Sequence, residues 1–90
     1  MKSLTLNLKK EYFNDIKNGL KKEEYRVVKP YWEKRLLNAN YDKIVIKMGY
    51  PKSTESDKIL EFSWNGFTKK QITHKEFGEE PVWVFAIILN

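Results

Sequence analysis

Within the stretch Gly19-Leu20-Lys21-Lys22-Glu23-Glu24-Tyr25-Arg26, six residues from Lys21 to Arg26 hold side chains that suit anion binding or proton transfer. If residues 22–28 are extended, Lys22, Glu24, Arg26 and Val28 share one face and Glu23, Tyr25 and Val27 the other. Glu24 and Arg26 then project together, with Lys21 presented just before them by a turn at Gly19. A lysine and a forked guanidinium can clamp a phosphate, while the carboxylate can accept from a base edge or take a proton as a general base. The same residues also suit an ordinary solvated strand, in which alternating Lys, Glu and Arg make cross-strand pairs worth roughly 0.2–1 kcal/mol. Residue types alone favour that plainer reading.

The elements that must position this segment follow from periodicity. Leu4, Leu6 and Leu8 alternate with Thr5 and Asn7, as in a half-buried strand. From Lys9 or Lys10 to Asn18 the spacing becomes helical, with Phe13, Ile16 and Leu20 on one side, and Gly19 suits the left-handed position just past the helix end. A strand over 22–28 ends at Pro30. Proline fits the first turn of a helix, and 31–37 continues with Trp32 and Leu36, joined by Tyr31 and Leu37, set to face inward. Residues 41–50 read as a strand through Ile44, Ile46 and Met48, and 52–57 as a loop. Two strands, 59–64 and 66–72, are expected to meet in a hairpin at Asn65-Gly66. A polar segment from His74 to Glu80 leads into the apolar run 82–89, a last strand buried on both faces. The order β-α-β-α-β-β-β-β makes this an α+β chain, and six short strands suggest a small mixed barrel, because closure removes exposed edges.

Composition narrows the function classes. Ninety residues allow one core-forming domain, and three Trp, five Tyr and five Phe can fill it. With no cysteine, disulfides and thiolate metal sites are excluded, and a single histidine excludes multi-histidine zinc sites. His74 itself reads as a solvated loop or helix-start residue. No metal or cofactor is expected. The N-terminal segment lacks the apolar run of a signal peptide, and no stretch reaches the length of a membrane span, so a cytoplasmic protein without membrane contact is expected. Residues 1–47 carry twelve Lys or Arg and six acids, whereas residues 48–90 carry five and six. A basic half of this kind attracts polyanions, nucleic acid foremost, although lysine-rich faces also serve solubility. Lys9, Lys10, Lys29, Lys34 and Arg35 could extend a phosphate-binding surface. Of the aromatics, Trp32 and Trp64 suit packing, and Tyr31 and Tyr50 suit the rim of a cleft where a base can stack.

The segment Gly19, Lys21, Glu24, Arg26 resembles the Gly-x-Lys-x-x-Glu-x-Arg signature of the ASCH family, a branch of the PUA-like barrels, in which it follows the first helix. The likeness extends less specifically over the first strand and helix, Pro30-Tyr31-Trp32-Glu33-Lys34-Arg35-Leu36, Gly49-Tyr50 and the closing run 81–89. It implies a single PUA-like domain over residues 1–90, with RNA or a nucleotide bound in a cleft beside the barrel lined by Lys21, Glu24 and Arg26. Some relatives are ribonucleases or hydrolyse a modified cytidine amide. The amidohydrolases have threonine where this chain has Glu24, and a helical insertion with a further acid where it has only residues 74–80. Glu76, Glu79 or Glu80 could stand in for that acid, and spacing does not choose among them.

Three functions therefore stand open. The first is RNA or nucleotide binding through Lys21, Glu24, Arg26, Tyr31 and Tyr50. The second is a small hydrolase with Glu24 as general base and Lys21 stabilising negative charge. The third is a protein-interaction module. Oligomeric state is not fixed by any of these residues.

Overall fold

A computed structural model describes residues 2–89. Its elements run β1 (Ser3–Leu8), α1 (Lys10–Lys17), β2 (Glu23–Val27), α2 (Pro30–Leu36), β3 (Lys43–Met48), β4 (Ile59–Ser63), β5 (Phe67–Ile72) and β6 (Val82–Ile88), with single 3-10 turns at Ser56–Lys58 and Lys75–Phe77. The order expected from periodicity holds, and the α+β class with six strands and two helices is observed. The chain forms two compact units whose segments interleave.

The first unit holds β1, α1, β3 and β4. Its sheet has the order β1-β3-β4, with β1 and β3 parallel and β4 antiparallel to β3. Register sets Leu4 beside Ile44 and Leu6 beside Ile46, all buried, while Ser3, Thr5 and Asn7 point to solvent. Phe13 and Ile16 of α1 complete this core. Each such side chain contributes about 1.5–3 kcal/mol on full burial.

The second unit covers Glu23–Ala39 and Asn65–Ile88. Here β6 runs between β2 and β5, antiparallel to both. Residues Val84, Phe85, Ala86 and Ile87 are wholly buried, which accounts for the near-continuous apolar run. Leu36 is the buried anchor of α2, and Pro30 opens that helix as expected.

Several expectations are corrected. The strands flanking Asn65-Gly66 form, but not as a hairpin: β4 pairs with β3, and β5 with β6. A two-residue type I′ turn needs positive φ at both central residues. Gly66 has φ 78°, whereas among the described non-glycine residues only Asn38 has positive φ, so Asn65 does not make that turn. Leu20 lies beyond the end of α1 and is 78% exposed. Tyr31 on α2 and Leu37 just past its end are exposed rather than turned inward. Trp83 interrupts the buried closing strand and is more than half exposed. The ladders among the described residues make two three-stranded sheets, and closure into one barrel is not among them.

Candidate functional site

The turn after α1 is built by its last backbone groups. Gly19 N–H donates to the Ile16 carbonyl at 3.1 Å and Leu20 N–H to the Asp15 carbonyl at 2.8 Å. This is the paired wrap of a Schellman motif, with Gly19 at φ 75° in the position where a side chain is disfavoured. The chain leaves the helix end into an open cleft of about 360 Å³ in the first unit, lined by Ile16, Gly19, Lys21, Lys22, Phe62 and Leu89. The Lys22 carbonyl accepts from Leu89 N–H at 2.9 Å, fixing this edge. The Lys21 ammonium lies 4.9 Å from the Tyr12 ring centroid. A lining of two lysines with Ile16, Phe62 and Leu89 suits an anion that also carries an apolar or planar part. The volume lies at the small end of ligand pockets.

In the second unit Glu24 and Arg26 do project together. Arg26 Nη2 donates to Glu24 Oε2 at 3.0 Å, and the side chains are only 22% and 7% exposed. Register explains the burial: Glu24 lies beside Ile87, and Arg26 beside Phe85, on the apolar central strand. The guanidinium also covers Trp32, with its carbon 5.2 Å from the ring centroid. Arg26 Nε is buried and has no hydrogen-bond partner. An exposed cross-strand pair is therefore the wrong description of these two residues. It does fit Lys43–Glu61, whose side chains are 34% and 55% exposed.

The opposite face of β2 carries a cluster that local sequence did not signal. Lys70 Nζ donates to Glu23 Oε1 at 2.5 Å, and the Tyr25 hydroxyl donates to the same oxygen at 3.1 Å. Ala86, wholly buried, stands between Tyr25 and Thr68 in the register. The Lys70 hydrogen bond holds the Glu23 carboxyl below its ordinary value, with a smaller contribution from Tyr25. Burial, then the Glu23 carboxylate, push the Tyr25 hydroxyl up. The bond to Glu23 likewise raises Lys70. All three shifts hold the groups in their neutral-pH states, which suits structure rather than proton transfer.

Of the remaining expected site residues, Tyr50 is 94% exposed at the end of β3, and Tyr31 is 53% exposed on α2. Lys21 and Tyr50 belong to the first unit, and Glu24, Arg26 and Tyr31 to the second. Trp64 packs edge-on against Tyr41 at 5.1 Å, the packing role expected for it. His74 begins the second 3-10 turn, its Nδ1 accepting from Glu76 N–H at 3.1 Å. Lys22, Phe62 and Leu89 were missed as cleft residues. Lys22 sat inside the expected strand, and nothing local ties Phe62 or Leu89 to Gly19.

Among the described residues no group of three or more His, Asp and Glu side chains is placed to hold a metal ion. Among the described residues no helix is long and apolar enough to cross a membrane. Comparison with family models, curated proteins and solved structures finds no match to this chain.

Proposed function

We propose that this protein binds the phosphate-bearing part of a nucleotide or of RNA in the cleft beside Gly19. The observation that carries the reading is the pairing of two lysines, Lys21 and Lys22, with the apolar lining of Ile16, Phe62 and Leu89. A nucleotide is amphiphilic in the same sense: a planar base seeks apolar contact and the phosphate seeks cations. The ASCH-like spacing, in which Lys21 follows Gly19 within the PUA-like barrel that the resemblance implies, points to the same ligand class. The excess of Lys and Arg in residues 1–47 supports a polyanion as ligand.

The hydrolase reading gains less support. Its base, Glu24, is 5% exposed and its carboxylate is engaged by Arg26, so a substrate proton would have to compete with a guanidinium. Titration of wild-type and Lys21→Ala/Lys22→Ala proteins with uridine monophosphate and with a short oligouridylate, at low and raised salt, tests the binding proposal. Wild-type affinity should fall with salt, and the lysine variant should lose most of it. A folded Lys21→Ala/Lys22→Ala protein that binds both probes as well as wild type in low salt overturns the cleft assignment.

A further inference from the structure

Four side chains of the second unit form a graded stack that leads from solvent to the buried carboxylate. The Arg35 guanidinium lies 4.1 Å from the Tyr31 ring centroid. Tyr31 meets Trp32 edge-on, with centroids 4.9 Å apart and planes at 84°. Trp32 in turn carries Arg26 at 5.2 Å, and Arg26 reaches Glu24 at 3.0 Å. Exposure falls along the series from Tyr31, 53% exposed, to Glu24 at 5%. Tyr31 and Arg35 are four residues apart on α2 and share one face of it.

Burial explains Leu36, and the Arg26 guanidinium covers Trp32, but neither accounts for Tyr31, which is 53% exposed. Aromatic rings and guanidinium planes are the two protein surfaces on which an unpaired base stacks. The surroundings decide between a nucleic acid and a protein partner. Lys29, Lys34 and Arg35 are all exposed, and Glu33 is the single acid in residues 29–37. Cations interleaved with rings are the pattern of single-strand binding, where phosphates and bases alternate along the ligand.

The geometry points to a base-stacking platform on α2 for single-stranded nucleic acid. Tyr31 takes the base, Arg35 braces the ring, and Lys29 and Lys34 meet the adjoining phosphates. Arg26 and Glu24 act behind Trp32 as positioning residues. The inference rests on the nucleic-acid reading above, and it selects a strand rather than a free nucleotide as ligand, on a surface separate in sequence from the Lys21–Lys22 cleft.

Fluorescence anisotropy with a short labelled oligouridylate tests it, using wild type, Tyr31→Ala, Tyr31→Phe, Arg35→Lys, Lys29→Ala/Lys34→Ala and Lys21→Ala/Lys22→Ala proteins, each checked for folding by circular dichroism. Uridine monophosphate serves as the mononucleotide probe. Tyr31→Ala should weaken the oligonucleotide about 5- to 150-fold with its salt slope unchanged, and Tyr31→Phe should restore it. Arg35→Lys keeps the charge and removes the plane, so affinity should fall while the slope holds. The Lys29→Ala/Lys34→Ala protein should show a slope shallower by about 0.7 for each phosphate it no longer neutralises. Mononucleotide binding should be indifferent to Tyr31. If folded Tyr31→Ala binds the oligonucleotide like wild type while Lys21→Ala/Lys22→Ala loses it, the platform is wrong and the cleft stands. The reverse result supports the platform and removes the cleft. Wild type that captures neither probe refutes both.

Discussion

Replacing Arg26 alone should destabilise the fold far more than replacing Arg26 and Glu24 together. Charge centres about 4 Å apart attract by about 4 kcal/mol at an effective dielectric near 20. Against this, taking each ion out of water costs several kcal/mol. Glu24 is 5% exposed, so its desolvation is nearly complete, while the Arg26 side chain keeps 22% exposure. The buried Arg26 Nε, lacking a hydrogen-bond partner, adds a cost of about 1–3 kcal/mol. The intact pair therefore contributes little net stability. Arg26→Met, however, leaves a buried carboxylate beside Ile87 without its guanidinium. Breaking a buried pair costs about 3–5 kcal/mol, and water reaching the vacated arginine site reduces this to about 2–3. In a domain of this size that corresponds to a fall in Tm of about 10–20 °C. Glu24→Leu/Arg26→Met should lie within about 1 kcal/mol of wild type or above it. Urea and thermal melts followed by circular dichroism, arranged as a double-mutant cycle, measure the coupling. An Arg26→Met protein as stable as wild type refutes the burial argument, and a double variant less stable than wild type by clearly more than about 1 kcal/mol refutes the claim of little net contribution.

Three further perturbations test other parts of the structure. Gly19→Ala forces a side chain into the left-handed region with nothing within 4 Å of its Cβ, so the cost is conformational, about 1–2 kcal/mol by thermal melt. Ala86→Leu puts bulk between Tyr25 and Thr68 and should cost about 1–3 kcal/mol in urea unfolding, with Tyr25 fluorescence altered. The Glu23–Lys70 pair stabilises above the ordinary carboxyl pKa of 4.5 and below the ordinary ammonium pKa of 10.5. The lowered Glu23 value means that its contribution is lost as pH falls through the folded-state pKa, and the raised Lys70 value means loss as pH rises through its own. The stability gap between wild type and Glu23→Gln should thus be level near neutrality and shrink below about pH 4.5; a gap that persists unchanged into acid removes Glu23 as its source.

Local rules were readable wherever burial agreed with them. Leu4, Leu6 and Leu8 alternate because that face packs, and α1 stops at Gly19 because the same residue both ends the helix and opens the turn. The Asn65-Gly66 signal failed because a turn preference is weaker than strand partners elsewhere in the chain. β3 offers β4 the apolar pairs Ile44–Phe62 and Ile46–Leu60, whereas β5 carries Lys69 and Lys70. The candidate site was legible as residue types but not as environments. Glu23 and Glu24 are neighbours of one type on one strand, yet one meets Lys70 at the surface and the other is buried beside Ile87. Side chains distant in sequence make that difference, as they do for Phe62 and Leu89 in the cleft.

The acidic–basic pairs on the sheets form a series in which burial separates ordinary charge pairing from something more demanding. Lys43–Glu61 is open to solvent, Glu23–Lys70 is half-covered, and Glu24–Arg26 is largely enclosed. The first two need no explanation beyond modest surface electrostatics. The third is different, because an apolar pair of similar volume satisfies the same space at no loss of stability. What apolar residues cannot do is hold a guanidinium plane against Trp32, continuous through Tyr31 with an exposed, cation-flanked ring. If the cycle shows that the pair adds no stability, its effect must be sought in binding. The Glu24→Leu/Arg26→Met protein is then the informative ligand-binding variant, folded as wild type but lacking the rear support of the stack, and its oligonucleotide affinity should fall while its melt does not.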